Sequence, residues 1–433
     1  MKFGGTSMGN SKAISKVADI LMKSPGKKVA VVSATSGTTD ELISLGKMAN
    51  SNQIFDSTLL SLIEKHEKIS RELEVETDLE FFRNELANLL RGVSLVGELS
   101  LSANDRIITM GERISSHILT ALLIKRGLKS KMCDAFNFVF TDNNFGEAEV
   151  DFEKTNIAVR RDITPLLEED IIPVITGFTG QSEDGRYTSL GRGGSDYTAA
   201  ILGAALDCAE VQIWTDVDGI SNADPRVIPE AKVLEQLSFN EAGELAYFGA
   251  KVLHPKTIKP AISKNIPVKI LNTFNPDFPG TVITNEEVNS IKSVTAKRNI
   301  TIVNICSAGM LNAHGFLERI FKVFADHKVV VDVVATSEVS VSVTIDEEPK
   351  EEVLTALSEF SNVTVYKDVA IVCLVGNGIQ SNRNVLGELF SAVSGHEILM
   401  VSLGASKRNI TFLVNANESP TVVKKVFNKF FNQ

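Results

Sequence analysis

The segment Lys2-Phe3-Gly4-Gly5-Thr6-Ser7 sets a point charge beside two glycines and two hydroxyls. Those types suit an anion: the glycines let backbone amides come close, and Thr6 and Ser7 add donors. On composition alone the segment is equally a tight turn. A second glycine-rich stretch, Leu190-Gly191-Arg192-Gly193-Gly194-Ser195-Asp196, leads into the small residues Tyr197-Thr198-Ala199-Ala200. Ser195 and Asp196 stand in capping positions, so amides and the positive end of a helix dipole would face whatever Arg192 holds. A structural turn needs no arginine among its glycines, and the stretch reads as an anion site. A third, Trp214-Thr215-Asp216-Val217-Asp218-Gly219-Ile220, closes a predicted strand, with Asp224-Pro225-Arg226 after it. Ligands of open α/β sheets sit beyond the carboxyl ends of strands, so Thr215 and Asp216 could bind a nucleoside. Two consecutive turns fit the same spacing. Singly, Glu112 and Lys251 read as solvated helix residues, and His254 as a core or capping histidine. Neither G-x-x-x-x-G-K-[ST] nor a strand followed by G-x-G-x-x-G occurs.

Positioning these segments takes a sheet. Val29-Ala30-Val31-Val32, Ile171-Ile172-Pro173-Val174-Ile175 and Val211-Gln212-Ile213-Trp214 read as buried strands. Helical spacing of Ile14, Val17, Ala18 and Leu21 precedes the first, and a small-residue helix from Asp196 to Ala205 lies between the other two. Such alternation through residue 285 predicts a mostly parallel sheet with helices on both faces. A charged, leucine-rich stretch between 55 and 95 predicts a helical excursion without chemistry of its own.

From Asn285 to Lys297 the chain reads as a polar connector, and the pattern then changes. Strands are predicted over Ile300–Cys306, Val329–Val334 and Val339–Ile345, with a helix over Gly315–Ala325. The same order returns as strand Ala370–Val375, helix Val385–Val393, strands Ile398–Leu403 and Ile410–Val414, and a last helix through Val422, Val426 and Phe430. Arg-Asn-Ile-Thr recurs at 298–301 and 408–411. Two copies of a small βαββ-type unit follow.

At 433 residues, 43% hydrophobic and 23% charged, the composition is that of a globular protein with more than one core. No uninterrupted apolar run long enough to span a bilayer occurs, so no membrane partner is expected. The net charge of −10, with no basic cluster interleaved with aromatics, argues against nucleic acid. Cys133, Cys208, Cys306 and Cys373 are scattered without C-x-x-C spacing, and read as reduced core thiols in a cytoplasmic protein.

Taken together and in order, Lys-Phe-Gly-Gly-Thr-Ser, Gly-Arg-Gly-Gly-Ser-Asp-Tyr-Thr-Ala, Trp-Thr-Asp-Val-x-Gly-Ile, Asp-Pro-Arg-Val and Phe-Gly-Ala-Lys-Val-Leu-His-Pro resemble the aspartate kinase family over nearly the whole chain. The resemblance implies an α/β amino-acid kinase fold, an αβα sandwich, over 1–285. Two ferredoxin-like (βαββαβ-type) ACT domains would follow over 299–368 and 369–433, free to interleave. It also implies phosphorylation of the β-carboxylate of L-aspartate by ATP with Mg²⁺, the first step toward lysine, threonine and methionine, in a homodimer or larger homo-oligomer. Lys2 would stabilise the transferring phosphoryl group beside Gly4, Gly5, Thr6 and Ser7, and Asp196 would orient it. Arg192 would grip the α-carboxylate of aspartate and Glu112 the α-ammonium. Thr39, Gly193, Gly194 and Ser195 would add substrate contacts. Thr215, Asp216, Arg226, Lys251 and Val252 fall on nucleotide positions, with Mg²⁺ between the phosphates rather than in a protein cage.

The C-terminal half most resembles lysine-inhibited members without a fused dehydrogenase. Met310, Phe316, Leu317, Val331, Asp332, Ser337 and Glu338 match effector positions, with Asp332 and Glu338 suited to cationic groups. Ala313 departs from a usual serine, which leaves threonine as the other effector. Relatives also carry apolar residues ahead of the lysine, so a start at Met1-Lys2 predicts a short first strand with little to anchor Lys2. Other amino-acid kinases share the phosphate glycines but lack paired ACT units. An inactive amino-acid sensor would not need Lys2, Arg192 and Asp196 together.

Overall fold

The structure is a computed structural model that describes residues 1–248, 253, 255–311, 314–346 and 348–432. By its contacts the chain divides into two compact units, one of residues 1–220 and 252–285, the other of 221–251 and 286–433.

The first unit carries strands β1 (Lys2–Phe3), β2 (Ala30–Val32), β3 (Ser130–Cys133), β4 (Ile172–Thr176), β5 (Thr179–Gln181), β6 (Tyr187–Ser189) and β7 (Val211–Thr215), and two more at Val268–Asn272 and Thr281–Thr284. Its main sheet runs β3-β4-β2-β1-β7, then 268–272 and 281–284. All these pairings are parallel except the last. β5 and β6 form a separate antiparallel hairpin. Parallel strands buried on both faces need continuous apolar runs, and β2 and β4 are wholly buried. β1 has two residues, as the sequence predicts, but it is well anchored. It pairs on both sides, Lys2 with Val31 and Ile213, Phe3 with Val32 and Trp214, so the centre of the sheet fixes the backbone that carries Lys2.

Helices α1 (Ser11–Lys23), α2 (Thr38–Asn50), α3 (Asp56–Glu72), α4 (Glu80–Val96), α5 (Leu101–Ile108), α6 (Met110–Lys125), α7 (Phe152–Glu168) and α8 (Gly194–Ala205) belong to this unit. α1 begins where the Asn10 side chain accepts from the Ala13 amide, and it buries Ile14, Val17, Ala18 and Leu21 on one face. α8 is small-residued because β7 is close: a Cβ on Gly203 would stand 2.6 Å from Val211. The excursion between 55 and 95 is the pair α3 and α4, whose Leu59, Leu62, Ile63, Phe82 and Leu90 join the core of α2 and α5. Leu101–Lys125 is long and apolar enough by composition to cross a membrane, but 83% of that window is buried inside the protein, as in a core helix.

In the second unit six strands form one sheet in the order Val334–Thr336, Ser340–Ile345, Ile291–Cys306, Asn362–Gly376, Asn409–Asn415, Met400–Ser402. The two longest strands lie antiparallel at its centre, and each serves both halves. One half packs Val303, Ile305, Val341 and Val343 against Ile320 and Phe324 of the helix Phe316–Asp326. The other packs Val294, Val372, Leu374 and Phe412 against Val426 and Phe427 of the helix Ser419–Phe431. Ala223 and Ile228 also pack into that second core.

Two expectations need correction. The polar connector ends early, because Ile291–Lys297 is already strand, paired with Ile371–Gly376. Val294 packs into the second core, while on the opposite face Ser293, also buried, and Thr295 donate to Ser221 O and Phe248 O, so polar residues that serve the strand read as a linker. The strand expected over Val329–Val334 is confined to Val334–Thr336. Upstream, Val329 and Val331 are apolar because they pack on the core, not because they form a ladder. The four thiols are free, as expected, but only Cys373 is buried, and Cys306 is exposed.

Candidate active site

A cavity of about 570 Å³ opens in the first unit at the carboxyl ends of β1 and β2 and the amino end of α8. Lys2 reaches it from β1, with its Nζ 2.7 Å from Asp196 Oδ1 in the first turn of α8 and both side chains nearly covered. The bend before α8 depends on glycine. Gly191 and Gly193 have φ of +73°, and a Cβ on Gly194 would stand 2.6 Å from the Phe178 ring. Those glycines bring backbone amides and the helix's positive end to the cavity wall. Arg192 lies on that wall and has no ion pair or hydrogen bond among the described residues, so its guanidinium is available to a ligand.

Glu112 enters from the first turn of α6 and is 4% exposed. Its Oε1 accepts from the Ala34 amide at 3.0 Å, while Oε2 is buried without a partner among the described residues. Burial pushes its carboxyl up to about 8, against the opposing pull of the Ala34 amide and the nearby Lys2 charge. Gly111 is what lets α6 come this near: a Cβ there would stand 2.7 Å from Ala34 Cβ. Gly111→Ala is therefore expected to cost about 1–3 kcal/mol through overpacking, read as a lower urea midpoint, and to move the Glu112 carboxylate. The loop Ser33–Gly37 between β2 and α2 forms the opposite wall, and Thr39 lines the cavity one residue into α2.

Beside Lys2, the Gly4 amide donates to Trp214 O at 3.1 Å. A Cβ on Gly4 would stand 3.4 Å from Lys2 Nζ. Thr6 is exposed. Ser7 is fully buried, with its hydroxyl 2.7 Å from Thr273 Oγ1, so it fastens the loop. Thr215, at the carboxyl end of β7, donates to Asp216 Oδ1 at 3.1 Å. Arg226 belongs to the second unit, where it pairs with Asp224 at 2.8 Å. Lys251, Val252 and His254 lie outside the described residues, as does Ala313.

No motif in the sequence marks Asp105. Its carboxylate is fully buried and accepts from the Gly146 amide at 2.9 Å and from the Ser189 amide and hydroxyl, both at 2.8 Å. It pins the end of β6, just before the Arg192 turn. Nothing in Asn104-Asp105-Arg106 distinguishes it from a surface residue of a charged helix.

In the second unit, Met310, Phe316 and Val331 pack on the first half's core, while Leu317 and Glu338 are exposed. Ser337 Oγ lies 2.7 Å from Ser340 Oγ. The Asp332 carboxylate is nearly covered, with Lys297 Nζ at 2.9 Å and the Tyr247 hydroxyl donating to it at 2.5 Å. An effector's cationic group would meet Lys297 there first.

An open α/β sheet with a lysine and glycines at its switch point places a ligand cavity there, in a unit joined to a paired small α/β unit. The first 272 residues match the amino acid kinase family, and 303–360 with 372–430 match the ACT domain. The chain is 36% identical to aspartokinase 1, chloroplastic, of Arabidopsis thaliana, over 100% of this chain and 80% of the relative. It is 33% identical to lysine-sensitive aspartokinase 3 of Escherichia coli, over 99% and 98%. The E. coli aspartokinase III structure in complex with aspartate and ADP (R-state) superposes with a TM-score of 0.86 at 32% identity, covering 99% of both chains. The chain belongs to the aspartokinase family.

Proposed function

We propose that the cavity binds L-aspartate between Arg192 and Glu112 and presents its β-carboxylate to the γ-phosphate of ATP beside Lys2. The observation that carries this reading is the Lys2–Asp196 pair at 2.7 Å on the wall of a cavity that also holds an unpaired arginine. Phosphoryl transfer requires positioning and charge neutralisation more than a strong base, and the acceptor carboxylate is ionised at neutral pH. A carboxylate oxygen bonds to the γ-phosphorus as the bond to the β-phosphate oxygen breaks, leaving ADP and an acyl phosphate. Lys2 and the Gly5 amide take up the charge on the phosphoryl oxygens, the Gly4 amide being held by Trp214 O, and Asp196 fixes the ammonium. Thr215 and Asp216 fit the nucleoside side, and Arg226, Lys251 and Val252 belong to it by resemblance. Mg²⁺ would be held by the phosphates of the nucleotide. The metal would supply neutralisation of phosphate charge.

Hydroxylamine traps an acyl phosphate as a hydroxamate. The protein with ATP, Mg²⁺ and L-aspartate is expected to form one, and its absence would refute the reading. Glu112 adds a signature. With its carboxyl at about 8 in the free site, an incoming ammonium must displace a proton, so aspartate KM is expected to fall as pH rises from about 6 to about 8. Glu112→Gln should flatten that slope.

The ACT half is the regulatory part, and we take lysine as its effector on the resemblance to lysine-sensitive relatives, with Glu338 exposed to meet a cation while Asp332 is held by Lys297. Titration calorimetry with lysine should show binding and threonine none; heat from threonine alone would reassign the effector. A homodimer formed through the ACT units fits the same reading.

A further inference from the structure

We propose that His66, on α3 and outside every motif of the family resemblance, is a positioning residue that sets the conformation of the aspartate-binding wall through Thr35 and Thr38. The inference rests on the assignment of that cavity to aspartate.

His66 is fully buried, with both ring nitrogens engaged. Nδ1 lies 2.7 Å from Leu62 O, one helical turn back, and a carbonyl can only accept, so Nδ1 carries the proton. Nε2 lies 2.9 Å from Thr35 Oγ1. Burial holds the imidazole down to about 4, so it is neutral at physiological pH and Nε2 must accept. The charged groups acting on it are Lys65 on its own helix and Glu41 on α2, themselves paired at 2.8 Å.

With Nε2 an acceptor, every proton in the chain is placed. Thr35 donates its hydroxyl to His66 and must accept from Thr38, whose Oγ1 is 2.5 Å away. The Thr38 amide also donates to Thr35 O at 3.0 Å. Thr35 and Thr38 are buried at 2% and 0%, so a lost bond between them would leave a buried hydroxyl unsatisfied. The direction runs Thr38 to Thr35 to His66 to Leu62, and it locks both threonine rotamers. Thr35 is itself in the cavity wall, between Ala34, which bonds Glu112, and Ser36, whose hydroxyl donates to Gly5 O at 2.9 Å. Thr39, the proposed substrate contact, is the next residue after Thr38. A cationic or Nε2-protonated imidazole would turn Nε2 into a donor and reverse the chain.

The first test is the ring itself. In the intact ¹⁵N-histidine-labelled protein at pH 7, long-range ¹H–¹⁵N correlation should show His66 neutral, with Nδ1 protonated and Nε2 bare. A protonated Nε2 would overturn the proposal. The second is kinetic. His66→Phe and Thr35→Val are each expected to raise aspartate KM about ten-fold, with ATP KM changed less than about two-fold. Thr35→Ser, which keeps the hydroxyl, should recover most of the aspartate KM. Equal rises for both substrates, or no recovery with serine, would reduce His66 to a core residue. If His66→Phe fails to fold, the threonine pair and the spectrum still decide. If Arg192→Ala also leaves aspartate KM unchanged, the cavity assignment fails rather than the role of His66.

Discussion

Lys2→Met is expected to lower kcat by about three orders of magnitude, roughly 4 kcal/mol of transition-state stabilisation, while aspartate KM changes by less than about three-fold. A Cβ on Gly4 would stand 3.4 Å from the ammonium, which sets that charge beside the glycine pair, and methionine keeps most of the lysine's volume. The substitution has a structural side effect that must be separated. Asp196 side-chain exposure is 13%, and removing its partner leaves a nearly buried carboxylate uncompensated, which costs about 3 kcal/mol of stability. Lys2→Met with Asp196→Asn removes that orphan charge. The double variant should recover most of the lost urea midpoint and none of the lost turnover. Recovery of turnover would mean that Lys2 acts only by neutralising Asp196. Retention of normal kcat in the single variant would remove Lys2 from the chemistry.

That Lys2 could be found from the sequence, and His66 and Asp105 could not, has a physical cause. Arg192 and Asp196 sit in a short run where glycine is forced by positive φ and close approach, and Lys2 stands beside a glycine pair with two hydroxyls, and such runs stand out in a linear reading. His66 and Asp105 lie on ordinary amphipathic helices and reach the site only through packing and long-range hydrogen bonds, over 31 residues to Thr35 and 84 to Ser189. Glu112 alone reads as a solvated helix residue, and only the approach of α6 permitted by Gly111 makes it a buried carboxyl. Fold class was legible because β2 and β4, at the middle of the first unit's sheet, are buried on both faces and so read as continuous apolar runs. The strand Ile291–Lys297 escapes such a reading because one of its faces is covered through polar side chains, Ser293 and Thr295, that bond to backbone carbonyls.

Arg192→Ala should act on aspartate alone. A bidentate grip of a guanidinium on a carboxylate is worth about 2–4 kcal/mol when partly desolvated, so aspartate KM is expected to rise by roughly 30- to 1,000-fold. Because Arg192 has no ion pair or hydrogen bond among the described residues, its removal orphans no buried charge, and the urea midpoint should stay near that of the wild type. Lys2 and Arg192 thus differ in kind: one substitution should lower kcat and stability together, the other should raise one KM and leave stability alone. Arg192→Lys keeps the charge but not the fork, and should recover only part of the loss. Added guanidinium ion should partly rescue Arg192→Ala at low aspartate and have no effect at saturating aspartate, where the site is already filled. An equal rise in ATP KM would place Arg192 on the phosphates, and the acceptor carboxylate would then have to be held by the Gly193 amide and the positive end of α8, since the Gly194 amide is bonded to Gly191 O.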